Sequence, residues 1–216
     1  MRIAVLGTGI VGRTLGSALV DSGHRVVMGS RNADNEHAMR WAGESGDRAS
    51  VAEFATAVEG SEMVFLALPG LVAAEVVRNL PPASLAGVIV VDVTNPLDFS
   101  GGFPPTVLQP EGLSVAEHVQ ISHPQAKVLK ALNTMNASVM VDPRQLSGHH
   151  ILYLCGDDAG AKATLRDILV GWGWADEEVL DLGDITAARA MEGYLPLWLR
   201  TMQALDTSTF NVNIVR

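Results

Sequence analysis

Cysteine, lysine and aromatic residues are all scarce in this chain: one cysteine, three lysines and 5% aromatics among 216 residues. A single cysteine, Cys155, cannot close an internal disulfide or build a multi-cysteine metal site, which fits a reducing compartment. The lysines are Lys127, Lys130 and Lys162. With a formal net charge of −9 they leave no broad basic surface, and nucleic acid is excluded as a partner. No apolar run approaches the length of about 20 residues that spans a bilayer. The first strand-like run starts at Arg2, with no charged and apolar leader ahead of it, so a cytoplasmic protein without membrane contact is expected. His149-His150 have too few potential ligands nearby for a metal, and no metal site is expected.

What is present is ordinary for a compact globule: 48% hydrophobic and 18% charged residues. At this length about 70% of the unfolded surface can be buried. Short β-branched runs near 2–6, 25–29, 63–68, 87–93, 127–131, 151–155 and 178–182 alternate with amphipathic segments near 10–22, 34–45, 51–59, 70–79, 113–120 and 157–171. A very short extra strand is placed near Arg48. This alternation predicts βαβ units and a doubly wound parallel α/β sheet of Rossmann type over residues 1–183. From Asp184 the pattern becomes one long helix over 185–205, with Ala188, Met191, Leu195, Trp198, Leu199 and Met202 at helical spacing. Phe210, Val212 and Ile214 then alternate with polar residues. Residues 184–216 are therefore expected to form a helical C-terminal extension ending in an edge strand, able to pair with this sheet or with a second subunit. A homodimer is expected. Between them, 96–112 carries Gly101-Gly102 and Pro104-Pro105, an ordered loop that is either a lid or a plain connector.

The run Ile3-Ala4-Val5-Leu6 turns through Gly7-Thr8-Gly9-Ile10-Val11-Gly12 into a helix. Each glycine in this dinucleotide-binding fingerprint serves a separate purpose. Gly7 permits the tight turn, Gly9 the close approach of a diphosphate, and Gly12 the packing of helix on sheet. The helix start offers unpaired N–H groups and a positive dipole end to the anion. At the end of the second strand an NAD site needs a carboxylate for the ribose hydroxyl. Here the strand runs into Ser30-Arg31-Asn32, where a planar guanidinium and a hydroxyl suit a 2′-phosphate, and NADP is the expected cofactor. Asp34 and Glu36 would repel that phosphate if they folded back to it. Further strand ends bring Leu68-Pro69, Asn95 and Ala131-Leu132-Asn133 to the same edge, where the nicotinamide half should lie; Asn95 can also serve as a turn cap.

On Gly7 to Gly12, Gly29-Ser30-Arg31, Val93-Thr94-Asn95-Pro96 and Lys130-Ala131-Leu132-Asn133, the chain resembles the NADP oxidoreductases that depend on the deazaflavin coenzyme F420. It is also similar to the cytoplasmic domain of ferric reductases and, more distantly, to pyrroline-carboxylate reductases. The resemblance implies hydride transfer between NADP and a deazaflavin or flavin ring. It places Thr8, Ile10 and Val11 along the phosphate turn, Ser30 and Arg31 at the 2′-phosphate, and Leu68 and Pro69 beside the dinucleotide. One departure is that Asn35-Glu36 stands where such proteins often carry a lysine after the arginine.

No side chain is assigned as catalytic. There is no Tyr-x-x-x-Lys pair, since Tyr153 and Tyr194 are followed four residues later by Asp157 and Trp198, and no lysine follows Lys162. A carbonyl reductase must protonate a developing alkoxide, and the usual donors are missing. Transfer between two rings needs stacking and dryness instead. His118 and His123 remain as candidate acids. Lys130 is either a paired structural ion or a site residue, and Arg189 and Glu192 are spaced to pair at i,i+3. Two other readings stay open: a reductase of small imines or carbonyls, and a non-catalytic NADPH sensor.

Overall fold

Residues 1–215 are described by the computed structural model. The chain lays down β1 (Arg2–Leu6), α1 (Ile10–Asp21), β2 (Arg25–Ser30), α2 (Glu36–Ser45), β3 (Ala49–Glu53), α3 (Phe54–Val58), β4 (Met63–Leu66), α4 (Gly70–Arg78) and β5 (Ile89–Asp92). A small antiparallel pair, β6 (Leu97–Asp98) with β7 (Thr106–Val107), is followed by α5 (Val115–Ser122), β8 (Lys127–Ala131) and α6 (Ala137–Val141). Then come β9 (Leu152–Gly156), α7 (Ala159–Gly171), β10 (Val179–Asp181), α8 (Ala188–Gly193) and α9 (Leu195–Leu205).

The strands form one sheet in the order β10-β9-β8-β5-β4-β1-β2-β3. From β3 to β8 all neighbours are parallel, the order of a doubly wound dinucleotide-binding sheet. The strands β1, β4, β5 and β8 are almost wholly buried, as their apolar runs predict for strands covered on both faces. Helices cover the sheet on two sides. One layer centres on Leu15, Leu19, Trp41, Leu165 and Trp174, the other on Leu66, Val77, Val119, Ala188 and Met191. Gly16 belongs to the first: a Cβ there would lie 2.8 Å from the Trp41 ring, so its absence lets α2 close on α1.

Four expectations are corrected. The sheet is not parallel throughout: β9 runs antiparallel to β8, the chain returning through the short α6 and a 3-10 turn at Pro143–Gln145 rather than through a full crossover helix. The extra strand β3 takes the first residues of the expected 51–59 helix, leaving α3 only Phe54–Val58. The long terminal helix is divided into α8 and α9, since Pro196 in the first turn of α9 cannot donate to the preceding turn. Finally, the alternating tail forms no strand among the described residues. Its main-chain link to the sheet is Ile151 N–H donating to Val212 O at 2.8 Å, and Asn211 Nδ2 covers Ile151 O and His150 Nδ1, so side chains hold the tail where a ladder was expected. Trp198 stacks on Phe210 with ring centroids 5.3 Å apart, fixing α9 to that tail.

Candidate active site

The register sets Leu6 beside Gly29 on one side and Leu66 on the other, so the carboxyl ends of β1, β2 and β4 open together where the winding direction reverses. A cleft of about 760 Å³ lies there, lined by Gly7, Thr8, Gly9, Ile10, Val11, Ser30, Arg31, Asn32, Asn35, Phe54, Ala67, Leu68 and Pro69. Ten of these were expected at the cofactor; Asn35, Phe54 and Ala67 were not. Gly7 has φ +126°, and a Cβ on it would sit 2.2 Å from Ala67 O. A Cβ on Gly12 would sit 2.0 Å from Gly7 O, so Gly12 is buried packing rather than lining. Gly9 differs. Beyond its two chain neighbours, nothing in the protein lies within 4 Å of where its Cβ would be, although the residue caps α1 and faces the cleft.

No side chain caps the start of α1, and its first turn carries no acidic residue. Its free N–H groups and dipole therefore face the cleft without competition, and the open cradle at Gly9 is the shape a diphosphate needs. Arg13 donates from Nη1 to Thr8 O and braces the turn from behind. Arg13 is not among the expected site residues, although an arginine one turn into this helix is a readable signal for a group that ties the turn down.

At the β2 end, Arg31 is exposed and forms no ion pair among the described residues. Ser30 is nearly buried, and its hydroxyl donates to Asn32 O, closing the loop rather than pointing outward. The cleft takes Asn35, whose side chain caps α2 by accepting from Ala38 N–H at 3.1 Å, but neither Asp34 nor Glu36 lines it.

The β5 and β8 ends are built differently. Asn95 and Asn133 bind each other: Asn133 Nδ2 donates to Asn95 Oδ1 at 2.9 Å, and Asn95 Nδ2 donates to Asn133 O at 2.8 Å. Asn133 Nδ2 also reaches Met191 O on α8 at 3.1 Å. Between β8 and Asn133, Leu132 adopts φ +65°, a costly conformation for a branched side chain that turns Asn133 toward Asn95. Neither asparagine lines the β1–β2 cleft, and Ala131 is completely buried in the helix-facing core, so its side chain offers a ligand nothing. Only the main chain of Ala131 stands at the strand end, its methyl being directed into the core.

Lys130 is a paired buried ion. Its ammonium, with no exposure, donates to Asp92 Oδ2 at 2.8 Å, Thr94 O at 2.7 Å and Glu192 Oε1 at 2.7 Å. Burial opposes its charge, but Asp92 and Glu192 outweigh that and hold its pKa above the ordinary value. Burial pushes the Glu192 carboxyl up, against the pull of Lys130. The i,i+3 pairing of Arg189 with Glu192 is not formed: Arg189 grips Glu117 on α5 instead, because Glu192 is turned inward to Lys130. His123 is buried with Nε2 on Val77 O at 2.8 Å and joins α5 to α4. Cys155 is buried, its thiol pushed up to about 12 by desolvation, which suits a small packing residue. Among the described residues no cluster of ligands could hold a metal, and no helix is long and apolar enough to cross a membrane.

Residues 2–96 match the family model described as NADP oxidoreductase coenzyme F420-dependent. The chain is 31% identical over 210 residues to the F420-dependent NADP reductase of Methanocaldococcus jannaschii, covering 91% of this chain and 90% of that one. It is 33% identical over 204 residues to the rat metalloreductase STEAP3, covering 91% of this chain but spanning only 38% of that longer protein. Among solved structures, a candidate F420-dependent NADP reductase from Arthrobacter sp. FB24 superposes with a TM-score of 0.93 at 44% identity over the whole of both chains. The matched span runs from β1 to the turn at Asn95 and thus takes in the whole cleft, and similarity at full length carries it through the helical tail: the chain belongs to the coenzyme F420-dependent NADP oxidoreductase family.

Proposed function

We propose that the cleft binds NADP with its diphosphate against Gly7 to Gly12 and its 2′-phosphate at Arg31, and that the chain serves hydride transfer between the nicotinamide and a deazaflavin or flavin ring. The observation that carries the reading is the unpaired guanidinium of Arg31 at the mouth of a cleft that no carboxylate lines. In a protein of net charge −9 such a cation attracts one local anion rather than a polyanion. Thr8, Ile10 and Val11 would bind through the open turn, Asn32 beside the phosphate, and Leu68 and Pro69 along the dinucleotide. Asn95 and Asn133 would meet the nicotinamide end. Residues 1–183 would hold the cofactor, and 184–216 would close the edge beyond it.

The acceptor is read from what the edge offers. Lys130 has all three N–H donors engaged, and His123 is buried between α5 and α4 and does not line the cleft, so neither is placed to protonate an alkoxide there. The hairpin β6–β7 springs from Pro96, whose carbonyl accepts from Leu108 N–H at 2.8 Å, and it carries Phe99 and Phe103, each 59% exposed. With Ile10, which is exposed and lines the cleft, these rings would supply flat apolar surface suited to a ring and to excluding water. When bound, the dinucleotide would supply or accept the hydride, the acceptor ring taking up or releasing the accompanying proton. The chain's residues bind, orient and keep the space dry.

The test is anaerobic NADPH oxidation by purified protein with a deazaflavin, with free flavins and with small imines and carbonyls, each repeated with NADH. Turnover with a deazaflavin or flavin and a strong preference for NADPH is expected. Tight NADPH binding without reduction of any ring acceptor would overturn the proposal in favour of a sensor.

A further inference from the structure

Lys130 is an expensive residue to keep inside a parallel sheet. Its three acceptors come from three separate places: Asp92 from the end of β5, Thr94 from the following turn and Glu192 from α8. Each carboxylate is itself fastened. Asp92 Oδ1 accepts from Thr94 N–H at 2.8 Å, and Glu192 Oε1 accepts from Val115 N–H at 2.9 Å at the start of α5. One ammonium thereby ties β5, β8, α5 and α8 together directly under the turn that carries Asn95.

Stability is a poor explanation for such a cluster, since apolar residues of similar volume usually hold a core as well as a buried ion group does. What a fully paired cluster fixes well is geometry. The turns it fixes are unfinished. Thr94 Oγ1 and Asn133 Oδ1 are buried and without a hydrogen-bond partner, while Leu132 between β8 and Asn133 is held at φ +65°. Strain and unpaired polar atoms gathered on one edge mark a place arranged for a ligand rather than for folding.

We propose that Lys130, with Asp92 and Glu192, is a positioning residue for hydride transfer: it locks α8 to the carboxyl edge of β5 and β8 so that Thr94, Asn95 and Asn133 hold one arrangement where the nicotinamide ring lies. The inference rests on the function proposed above. Lys130 touches neither cofactor nor acceptor; it acts through the turn at Thr94 and through the Met191 carbonyl that Asn133 grips. The adenine half of the cleft, at the other end of the edge, owes it nothing. Loss of the lock should therefore separate binding from chemistry.

The experiment measures three things on wild type, Glu192→Gln and Lys130→Met: thermal midpoint, NADPH affinity by fluorescence titration, and single-turnover oxidation of NADPH and of 4-deuterated NADPH by a deazaflavin under anaerobic conditions. Glu192→Gln preserves shape and leaves Lys130 its Asp92 partner, so it keeps the test open if Lys130→Met fails to fold. The expected result is NADPH affinity within about threefold of wild type and transfer slowed about tenfold or more, with a full isotope effect on the slowed step. A folded Glu192→Gln protein that transfers hydride at the wild-type rate would overturn the inference and leave the cluster a structural tie. Parallel loss of affinity and rate would overturn it too, by showing general loosening of the edge. Failure of wild type to reduce any ring is a separate outcome: it removes the underlying function before any variant is compared.

Discussion

At the carboxyl ends of β1 and β2 the chain leaves polar groups open, whereas at β5 and β8 it binds nearly all of them to one another. The first region is made by the main chain: a glycine at φ +126°, a second with open space where its Cβ would stand, and a helix whose start no side chain caps. The second is made by side chains from separate elements meeting around one ammonium and one asparagine pair. On the function proposed above, the difference teaches how one sheet edge would serve two halves of one ligand. A diphosphate needs many N–H donors and little shape, so a bare turn suffices. A ring that must meet another ring within near-contact distance needs a surface that does not move, and a closed network supplies it.

The comparison can be broken most severely at Lys130. Replacing it with methionine leaves Asp92 and Glu192 buried without their counter-ion, and a loss of about 3–5 kcal/mol is expected in denaturant unfolding. A loss under about 1 kcal/mol would mean the network is wetter than its geometry implies. At the open end, Gly7→Ala should cost about 1–3 kcal/mol through overlap with the Ala67 carbonyl and a forced positive φ. Gly9→Ala sharpens the contrast, because the added methyl meets no protein atom. Its unfolding free energy should stay within about 0.5 kcal/mol of wild type while NADPH affinity falls about tenfold by titration calorimetry. Equal effects at both glycines would erase the distinction between a folding glycine and a binding one.

Arg31→Ala should weaken NADPH by about 1.5–3 kcal/mol, the range for hydrogen bonds to a charged group, and leave NADH unchanged. Parallel loss for both dinucleotides would place the guanidinium elsewhere on the ligand. The smallest effect concerns the tie between α5 and α8. Burial alone would raise the Glu117 carboxyl, but Arg189 and Ser114 hold it below its ordinary 4.5. Its contribution to stability is therefore complete above about pH 4.5 and is lost as pH falls through the lowered value. Thermal midpoints of wild type should drop on acidification across that window, and Glu117→Gln should make the drop shallower.

The open region was legible in the sequence because its physics is local. A strand, three spaced glycines and a helix within 20 residues dictate the turn wherever the rest of the chain goes, and Ser30-Arg31-Asn32 follows at the end of the next strand. Eight of the cleft's lining residues were read this way, and Leu68 and Pro69 from the end of β4. The closed region was only half legible: a lysine inside an apolar strand announces that acids must come to it, yet nothing near residue 130 says which. Glu192 lies 62 residues on, and its spacing to Arg189 suggested a surface pair that the fold does not make. The tail misled for the same reason, since alternation at Phe210, Val212 and Ile214 describes a half-buried ribbon without deciding whether a ladder is free to receive it.

The sequence by itself therefore determined the βαβ fingerprint, the parallel core and the cation at position 31, all set by backbone sterics, hydrophobic period and side-chain chemistry over short spans. Only the tertiary structure decided the reversal of β9, the division of the terminal helix over the sheet edge, and the burial of Lys130 between Asp92 and Glu192. Those depend on which distant segments can reach one another once chain entropy has been spent, and on the high cost of leaving a charge unpaired where water cannot follow.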